Sequence, residues 1–460
     1  MTDAITVGLT PLSIDDVVAV ARHDATVTVA AQAWQEVRRS REVIDALAND
    51  TVAHYGVSTG FGALATVHIP DDLRTQLQRS LVRSHAAGSG PEVEREVVRA
   101  LMILRIQTLA TGRTGIRAQT LETYVAMLNA GITPVVHEYG SLGCSGDLAP
   151  LSHCALALMG EGRVRDAAGA QMDTAAAFAA AGVTPVTLAE KEGLALINGT
   201  GGMLGMLCLA AHDLRHLLTV ADVAAAMSVE GLLGSDAPFA PDLMALRPHP
   251  GQAVSAANMT AVLACSPIRD SHRDRLTDTR VQDAYSLRCA PQVAGARRDT
   301  LAHAQAVAAN ELASAVDNPV VTHDGRVVSN GNVHGVRIAY VLEFLAIAVA
   351  DLASISGRRA DRFIDGARNH GLPHFLTDNP GVNGALPEPL RCARPSSPAL
   401  ASSSPATRTA GPRSASGTIR RHPSGGCRVA PSLHRVSATH PGTSLQPPPP
   451  TSDDDRSEPT

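Results

Sequence analysis

The 460-residue chain predicts a mainly α protein, and three observations carry that expectation. Apolar residues recur at helical spacing from about residue 14 to about residue 380, with loops supplying the interruptions. The longest apolar run, "IAYVLEFLAIAVADLASI" from Ile338 to Ile355, repeats Ile338, Leu342, Leu345, Val349 and Leu352 along one face. Strand-like segments such as "GRVVSNGN" are short, and none alternates with helices in the way that builds a parallel sheet.

Taken in chain order, "EREVVRALMILRIQTLATG" places Val97, Leu101, Leu104 and Leu109 on one side of an amphipathic helix that Gly112 closes. The stretch "GSLGCSGDLAPLSH", Gly140 to His153, sets Gly, Ser, Gly, Cys, Ser, Gly and Asp almost in succession. Read alone, it is a tight turn before a helix, with Asp147 as cap and Pro150 in the first turn. "RDTLAHAQAVAANELASAV" is helical up to "DNP", where Pro319 disfavours helix at Asn318 and forces a turn. The run from Ile338 has the length of a membrane span, but Glu343, Asp351 and the repeating apolar face fit a buried helix of a large bundle better. After Asn383 the apolar periodicity ends, no Phe, Trp or Tyr follows Phe375, and Pro, Ser, Arg and Thr dominate. That composition cannot offset its ordering entropy by burial, so residues 384–460 are expected to be disordered.

With 44% hydrophobic residues the chain can bury a sizeable core, and by length it can hold two or three domains. A net charge of -5 and a pI near 6.4 provide no basic field for nucleic acid or an anionic membrane, so a small-molecule partner is expected. Cysteines 144, 154, 208, 265, 289, 392 and 427 form no CxxC pair and no zinc-like spacing with histidine, so they are read as reduced thiols with no metal site. The start "MTDAITVGLTPL" lacks the basic and apolar runs of a signal peptide, and the expected compartment is the cytoplasm. Lys191, the single lysine among many arginines, is read as coding bias.

The Cys-Ser-Gly tripeptide has a sharper chemical reading. The glycine amide is sterically free to approach the carbonyl two residues back, and the serine hydroxyl can leave as water, so a sufficiently bent chain cyclises. On these residues the stretch resembles the signature of the aromatic amino acid ammonia-lyases, and within them the histidine ammonia-lyases. In that family a tripeptide, usually Ala-Ser-Gly, cyclises autocatalytically into 4-methylidene-imidazol-5-one (MIO). Here Cys144, Ser145 and Gly146 would form it, Cys144 contributing its backbone. Such a group answers a physical need: the β-proton of an α-amino acid is barely acidic, ammonia leaves poorly, and a basic side chain alone supplies too little. No fingerprint of another cofactor is present, so neither a metal nor a diffusible cofactor is expected.

Further motifs follow in family order. "HYGVSTGFG" resembles the mobile active-site loop, with Tyr55 as general base and Gly56, Gly60 and Gly62 suited to a lid. "QRSLVRSHAAG" places Ser84 and His85 where the family reads the substrate ring, in the histidine-specific version. "LINGT" puts Asn198 where an amide approaches the MIO carbonyl and substrate, and "VQDAYSLRCAPQV" puts Tyr285 at the reaction centre and Arg288 on the substrate carboxylate, a planar bidentate pairing. Gln282, and Asn318 in "VDNPVV", are further substrate-binding candidates. Taken singly, each has a plainer reading: a rim tyrosine, a structural histidine, an Asn-Gly turn, a surface ion pair.

The resemblance implies a fumarase/aspartase-like long-helix bundle, with an MIO-bearing N-terminal domain over residues 1–200, a central helical bundle over 201–383, and a tail over 384–460. It implies deamination of L-histidine to trans-urocanate and ammonia, the first step of histidine degradation, by a homotetramer whose active sites combine several subunits. Two departures accompany it. Val333 in "SNGNVHG" stands where a phenylalanine is common, removing an aromatic wall. After Asn383 the family's Ser-Gly-x-Met-Ile-Ala-Gln helix and later Gln-Glu-Asp motif do not appear, leaving the bundle C-terminally incomplete, and a frameshift near codon 384 is the expected cause. Two other readings stand beside the histidine one: a phenylalanine or tyrosine lyase or aminomutase, which Ser84-His85 disfavours, and a catalytically dead relative.

Overall fold

Helices dominate the computed structural model, which describes residues 4–50, 52, 54–274, 281–379 and 382. Helix α1, Ile14–His23, opens with a reciprocal cap in which the Ser13 hydroxyl accepts the Asp16 N–H and the Asp16 carboxylate accepts the Ser13 N–H. It is followed by α2 (Ala31–Ala48), α3 (Asp71–His85), α4 (Arg95–Ala110), α5 (Ala118–Asn129), α6 (Leu148–Leu158), α7 (Thr174–Ala181) and the short α8 (Glu192–Ile197). The 31-residue α9 (Gly201–Gly231) leads to α10 (Pro241–Ala245), α11 (Pro250–Leu263), α12 (Pro267–Asp270) and α13 (Tyr285–Arg288), then to the long α14 (Ala290–Leu312) and α15 (Val336–Ile364). The described strands have two to four residues each and form four small sheets; Val327–Val328 of "GRVVSNGN" pairs antiparallel with Val320–Val321. The mainly α expectation holds.

Helix α9 is the axis of the molecule, packed against α1, α4, α11, α14 and α15; one core runs from Val7 through α1, α4, α9 and α14 to Leu352 of α15, and a second joins the C-terminal part of α9 to α11. Two elements differ from the sequence reading in instructive ways. Helix α4 is not amphipathic: every residue from Val97 to Ala110 except Thr108 is buried, including Arg99, Arg105 and Gln107. Its polar residues face backbone carbonyls inside the protein, so they interrupt the apolar pattern without marking a wet face. Helix α15 is buried on one side only. Ile338, Leu342, Leu345 and Leu352 are buried as expected, but Val349 is only half-buried, and on the opposite side Tyr340 is 70% and Phe344 50% exposed. Helix α14 begins earlier than the sequence reading places it and ends at Leu312, before the "DNP" turn.

Cysteines 144, 154, 208, 265 and 289 are free thiols. The expected disorder over 384–460, the C-terminal departure from the family pattern, Cys392 and Cys427 lie outside the described residues.

Candidate active site

The chain bends sharply between the strand His137–Tyr139 and α6. Gly143 and Gly146 have φ of +73° and +77°, and the Gly146 N–H donates to the Gly143 carbonyl at 3.3 Å, folding the tripeptide back on itself. A Cβ at Gly146 would fall 2.1 Å from the Gly199 carbonyl oxygen, so only glycine fits. Cys144 is exposed, Ser145 half-buried and Gly146 buried. These residues fit a ring closed between the Gly146 nitrogen and the Cys144 carbonyl: the bend turns the nitrogen back, and the third residue lacks the side chain that would forbid it.

Asp147 follows the bend in the cap position of α6, but its carboxylate does not cap that helix. It reaches instead to α9, where Oδ2 accepts the Gly202 and Met203 N–H groups at 2.8 and 3.0 Å, while Oδ1 accepts the Ser141 hydroxyl at 2.7 Å. Burial pushes this carboxyl above its usual range and the three hydrogen bonds pull it back. The Gly143 carbonyl also accepts the N–H of Gly335, the residue before α15, at 2.9 Å. Helices α6, α9 and α15 therefore all begin at the tripeptide loop, and their positive ends favour negative charge developing there.

Asn198 sits beneath the loop. The next residue's carbonyl, that of Gly199, accepts the Asp147 N–H at 2.7 Å, and the Asn198 Nδ2 donates to the Asn318 carbonyl at 2.7 Å. The Asn318 amide oxygen in turn accepts the Asn330 N–H at 2.8 Å and the Ser329 hydroxyl at 3.0 Å. The Tyr55 loop rests on the same platform, since a Cβ at Gly56 would meet Leu194, Pro319 and Lys191 within 4 Å. Tyr55 is half-buried, edge-on to Phe61 with ring centroids 6.3 Å apart. His85 ends α3, which packs on α6 and α8; its Nδ1 lies 3.0 Å from both the Leu81 carbonyl and the Ser84 hydroxyl. Three residues on, the Gly88 N–H donates to His153 Nε2 at 3.1 Å, tying the end of α3 to α6. Burial, aided by His137, holds the His153 imidazolium below its usual range. Val333 is buried.

Gln282, Tyr285 and Arg288 are elsewhere. Asp283 accepts the Ser235 N–H at 2.6 Å just beyond the C-terminal end of α9, and Arg359 in the last third of α15 donates to the Ser286 carbonyl. Tyr285 is 71% exposed with the Arg288 guanidinium 4.4 Å from its ring centroid, and Gln282 is exposed. Because α9 begins at the tripeptide and ends beside this group, about 45 Å of helix separates them at 1.5 Å per residue. One copy of the chain thus brings together Tyr55, His85, Cys144, Ser145, Gly146, Asn198 and Asn318 at one end, and leaves Gln282, Tyr285 and Arg288 at the other.

A buried charge cluster under the platform escapes the sequence reading. Lys191, fully enclosed, donates to Asp317 Oδ2 at 2.7 Å, and Arg105 Nη2 lies 3.9 Å from Asp317 Oδ1. Arg105 also donates to the carbonyls of Asn198 at 3.1 Å, Val316 at 3.0 Å and Ala195. Burial pushes the Lys191 ammonium below and the Asp317 carboxyl above their usual ranges, while their mutual attraction pulls both back. The signals available were the lone lysine and an arginine inside "LMILRIQTLA".

Comparison with known proteins agrees with this geometry. The aromatic amino acid lyase family profile matches residues 12–390. The histidine ammonia-lyase of Streptomyces griseus is 61% identical over 382 residues, covering 83% of this chain and 74% of its own. Among solved structures, tyrosine aminomutase from Streptomyces globisporus superposes with a TM-score of 0.79 at 37% identity, covering 85% of this chain and 77% of its own. Histidine ammonia-lyase from Trypanosoma cruzi superposes with a TM-score of 0.76 at 35% identity, covering 85% and 72%. The long-helix architecture is the fumarase-like fold of these lyases and aminomutases. The bent tripeptide, the amide platform beneath it and this breadth of likeness lead to one conclusion: the chain belongs to the aromatic amino acid lyase family.

Proposed function

We propose that the protein is a carbon-nitrogen lyase of the histidine ammonia-lyase type, releasing ammonia and trans-urocanate from L-histidine without oxidation. The observation that carries this reading is the bend at Gly143–Gly146, which folds the Gly146 amide back across the tripeptide onto the Gly143 carbonyl at a position where a side chain has no room. The likeness to relatives named histidine ammonia-lyase at 60–61% identity supports the choice of substrate, as does His85 at the end of α3. The MIO group, once formed from Cys144, Ser145 and Gly146, supplies the electrophile that lets ammonia depart.

The remaining chemistry falls to the chain's own side chains. Tyr55 takes the β-proton, His85 orients the imidazole, and Asn198 and Asn318 offer amides beside the tripeptide. Arg288 holds the carboxylate, with Tyr285 at the reaction centre and Gln282 beside the substrate. Since α9 keeps this second group away from the first within one copy, the working site combines copies of the chain, and a homotetramer is the assembly the family resemblance supports. The likeness to the histidine ammonia-lyases supports a cytoplasmic enzyme. Incubation with L-histidine while following urocanate absorbance tests the reading: urocanate forms with this chain and not with Ser145→Ala. Turnover of L-phenylalanine in preference to L-histidine would instead favour the phenylalanine- or tyrosine-directed reading.

A further inference from the structure

We propose that Lys191, Asp317 and Arg105 form a buried positioning cluster that fixes the Asn198–Gly199 peptide under the tripeptide loop, and that closure of the ring depends on it. The inference rests on the ring assigned under Proposed function and adds the part of the protein that makes its formation possible.

The contacts form an unbroken chain. Lys191 and Arg105 flank the Asp317 carboxylate, one on each oxygen, so two cations share one anion in an enclosed space. The Nη1 and Nη2 groups of Arg105 donate to backbone carbonyls, two of them, Ala195 and Asn198, at the C-terminal end of α8. Gly199 follows directly, and a Cβ there would fall 2.6 Å from Arg105 Nη1, so the backbone meets the guanidinium where no side chain fits. The Gly199 carbonyl in turn accepts the Asp147 N–H at 2.7 Å and leaves no room for a Cβ at Gly146. Asp317 continues the same hold on the second amide, because its Oδ1 accepts the N–H of Asn318 at 2.8 Å. Every step from Lys191 to Gly146 is therefore a hydrogen bond, an ion pair or a backbone contact.

A stabilising role alone explains this cluster poorly. Enclosing three ionised groups is costly, and apolar residues of similar volume commonly serve a core as well or better. What such a cluster provides is a unique arrangement of the groups it binds, here the floor of the bend. Ring closure joins the Gly146 nitrogen to the Cys144 carbonyl carbon. That carbonyl oxygen leaves as water with the protons of the Gly146 and Ser145 amides, and the Ser145 hydroxyl leaves as a second water with the Ser145 α-proton. The reaction needs no oxidant or reductant. It does need the nitrogen held close to the carbonyl while both bonds change, and small misplacements are severe for such steps.

The test is the intact mass of the folded fraction of the full chain, isolated by size exclusion, for the unchanged protein, Lys191→Met, Asp317→Asn and Arg99→Met. Arg99 is the control: it is equally enclosed on α4 and bonded to the Val20 and Leu128 carbonyls, but has no contact with the platform. The unchanged chain and Arg99→Met are expected to lose two waters, whatever the loss of stability in the latter. Lys191→Met is expected to show the full mass as its main species, with roughly tenfold less ring, and the milder Asp317→Asn an intermediate loss. Complete two-water loss in the folded fractions of both cluster variants would overturn the cluster's role and leave the ring intact. Equal impairment in Arg99→Met would overturn it too, by showing a general effect of weakened folding. No water loss in the unchanged chain would overturn the ring, and this proposal with it.

Discussion

Gly146 shows how much one residue decides. Its φ of +77° and the 2.1 Å approach of the Gly199 oxygen leave no place for a side chain, and the same bend folds its N–H back across the tripeptide onto the Gly143 carbonyl. Gly146→Ala is expected to abolish ring formation and to lower stability by at least the roughly 1–2 kcal/mol that a left-handed conformation costs an alanine. Intact mass and a thermal melt check the two parts separately. The Cys-Ser-Gly run was legible because its chemistry is local: three consecutive residues carry the nucleophile, the leaving group and the carbonyl. The role of Lys191 was not legible. Its partner Asp317 lies 126 residues away, and nothing in either local sequence points to the other.

Among the elements, α9 depends on a residue outside it. Its first N–H groups find their acceptor in Asp147, so the helix that forms the axis of the fold is anchored to the active-site bend. From sequence alone Asp147 belongs to the adjacent α6, because a capping residue is matched to the helix next to it along the chain. Asp147→Ala is expected to lower stability by about 1–3 kcal/mol, through the lost cap and the unsatisfied Gly202 and Met203 donors, and to loosen the tripeptide as well. Urea denaturation measures the first and the two-water mass loss the second. Periodicity serves α15 well on its buried face and misleads on α4, where enclosed arginines imitate a solvated side. A 3.6-residue repeat reports where polar residues stand, and their partners decide whether that face is wet or dry.

At the scale of the whole molecule, motif order along the chain conceals distance in space. Tyr285 and Arg288 belong to the same expected chemistry as Ser145, yet α9 places them at opposite ends of one copy. The exposed side of α15, with Tyr340 and Phe344, adds apolar surface that a solitary chain leaves uncovered. A site shared between copies makes a distinctive prediction. Ser145→Ala and Arg288→Ala chains, each inactive alone, are expected to regain roughly a quarter of the unmutated activity when co-expressed at equal levels, because random assembly leaves that share of sites with both residues intact. Activity no greater than the two variants give separately would place both residues in one copy. The claim on which the rest stands is that the backbone of this chain becomes its own electrophile, and one peptide tests it most directly. Trypsin releases Ala118–Arg163, which contains the whole bend and no internal cleavage site. Its mass is expected to be lower than its sequence requires by two waters, and unchanged in Ser145→Ala; the full sequence mass in the unmutated protein would contradict the claim.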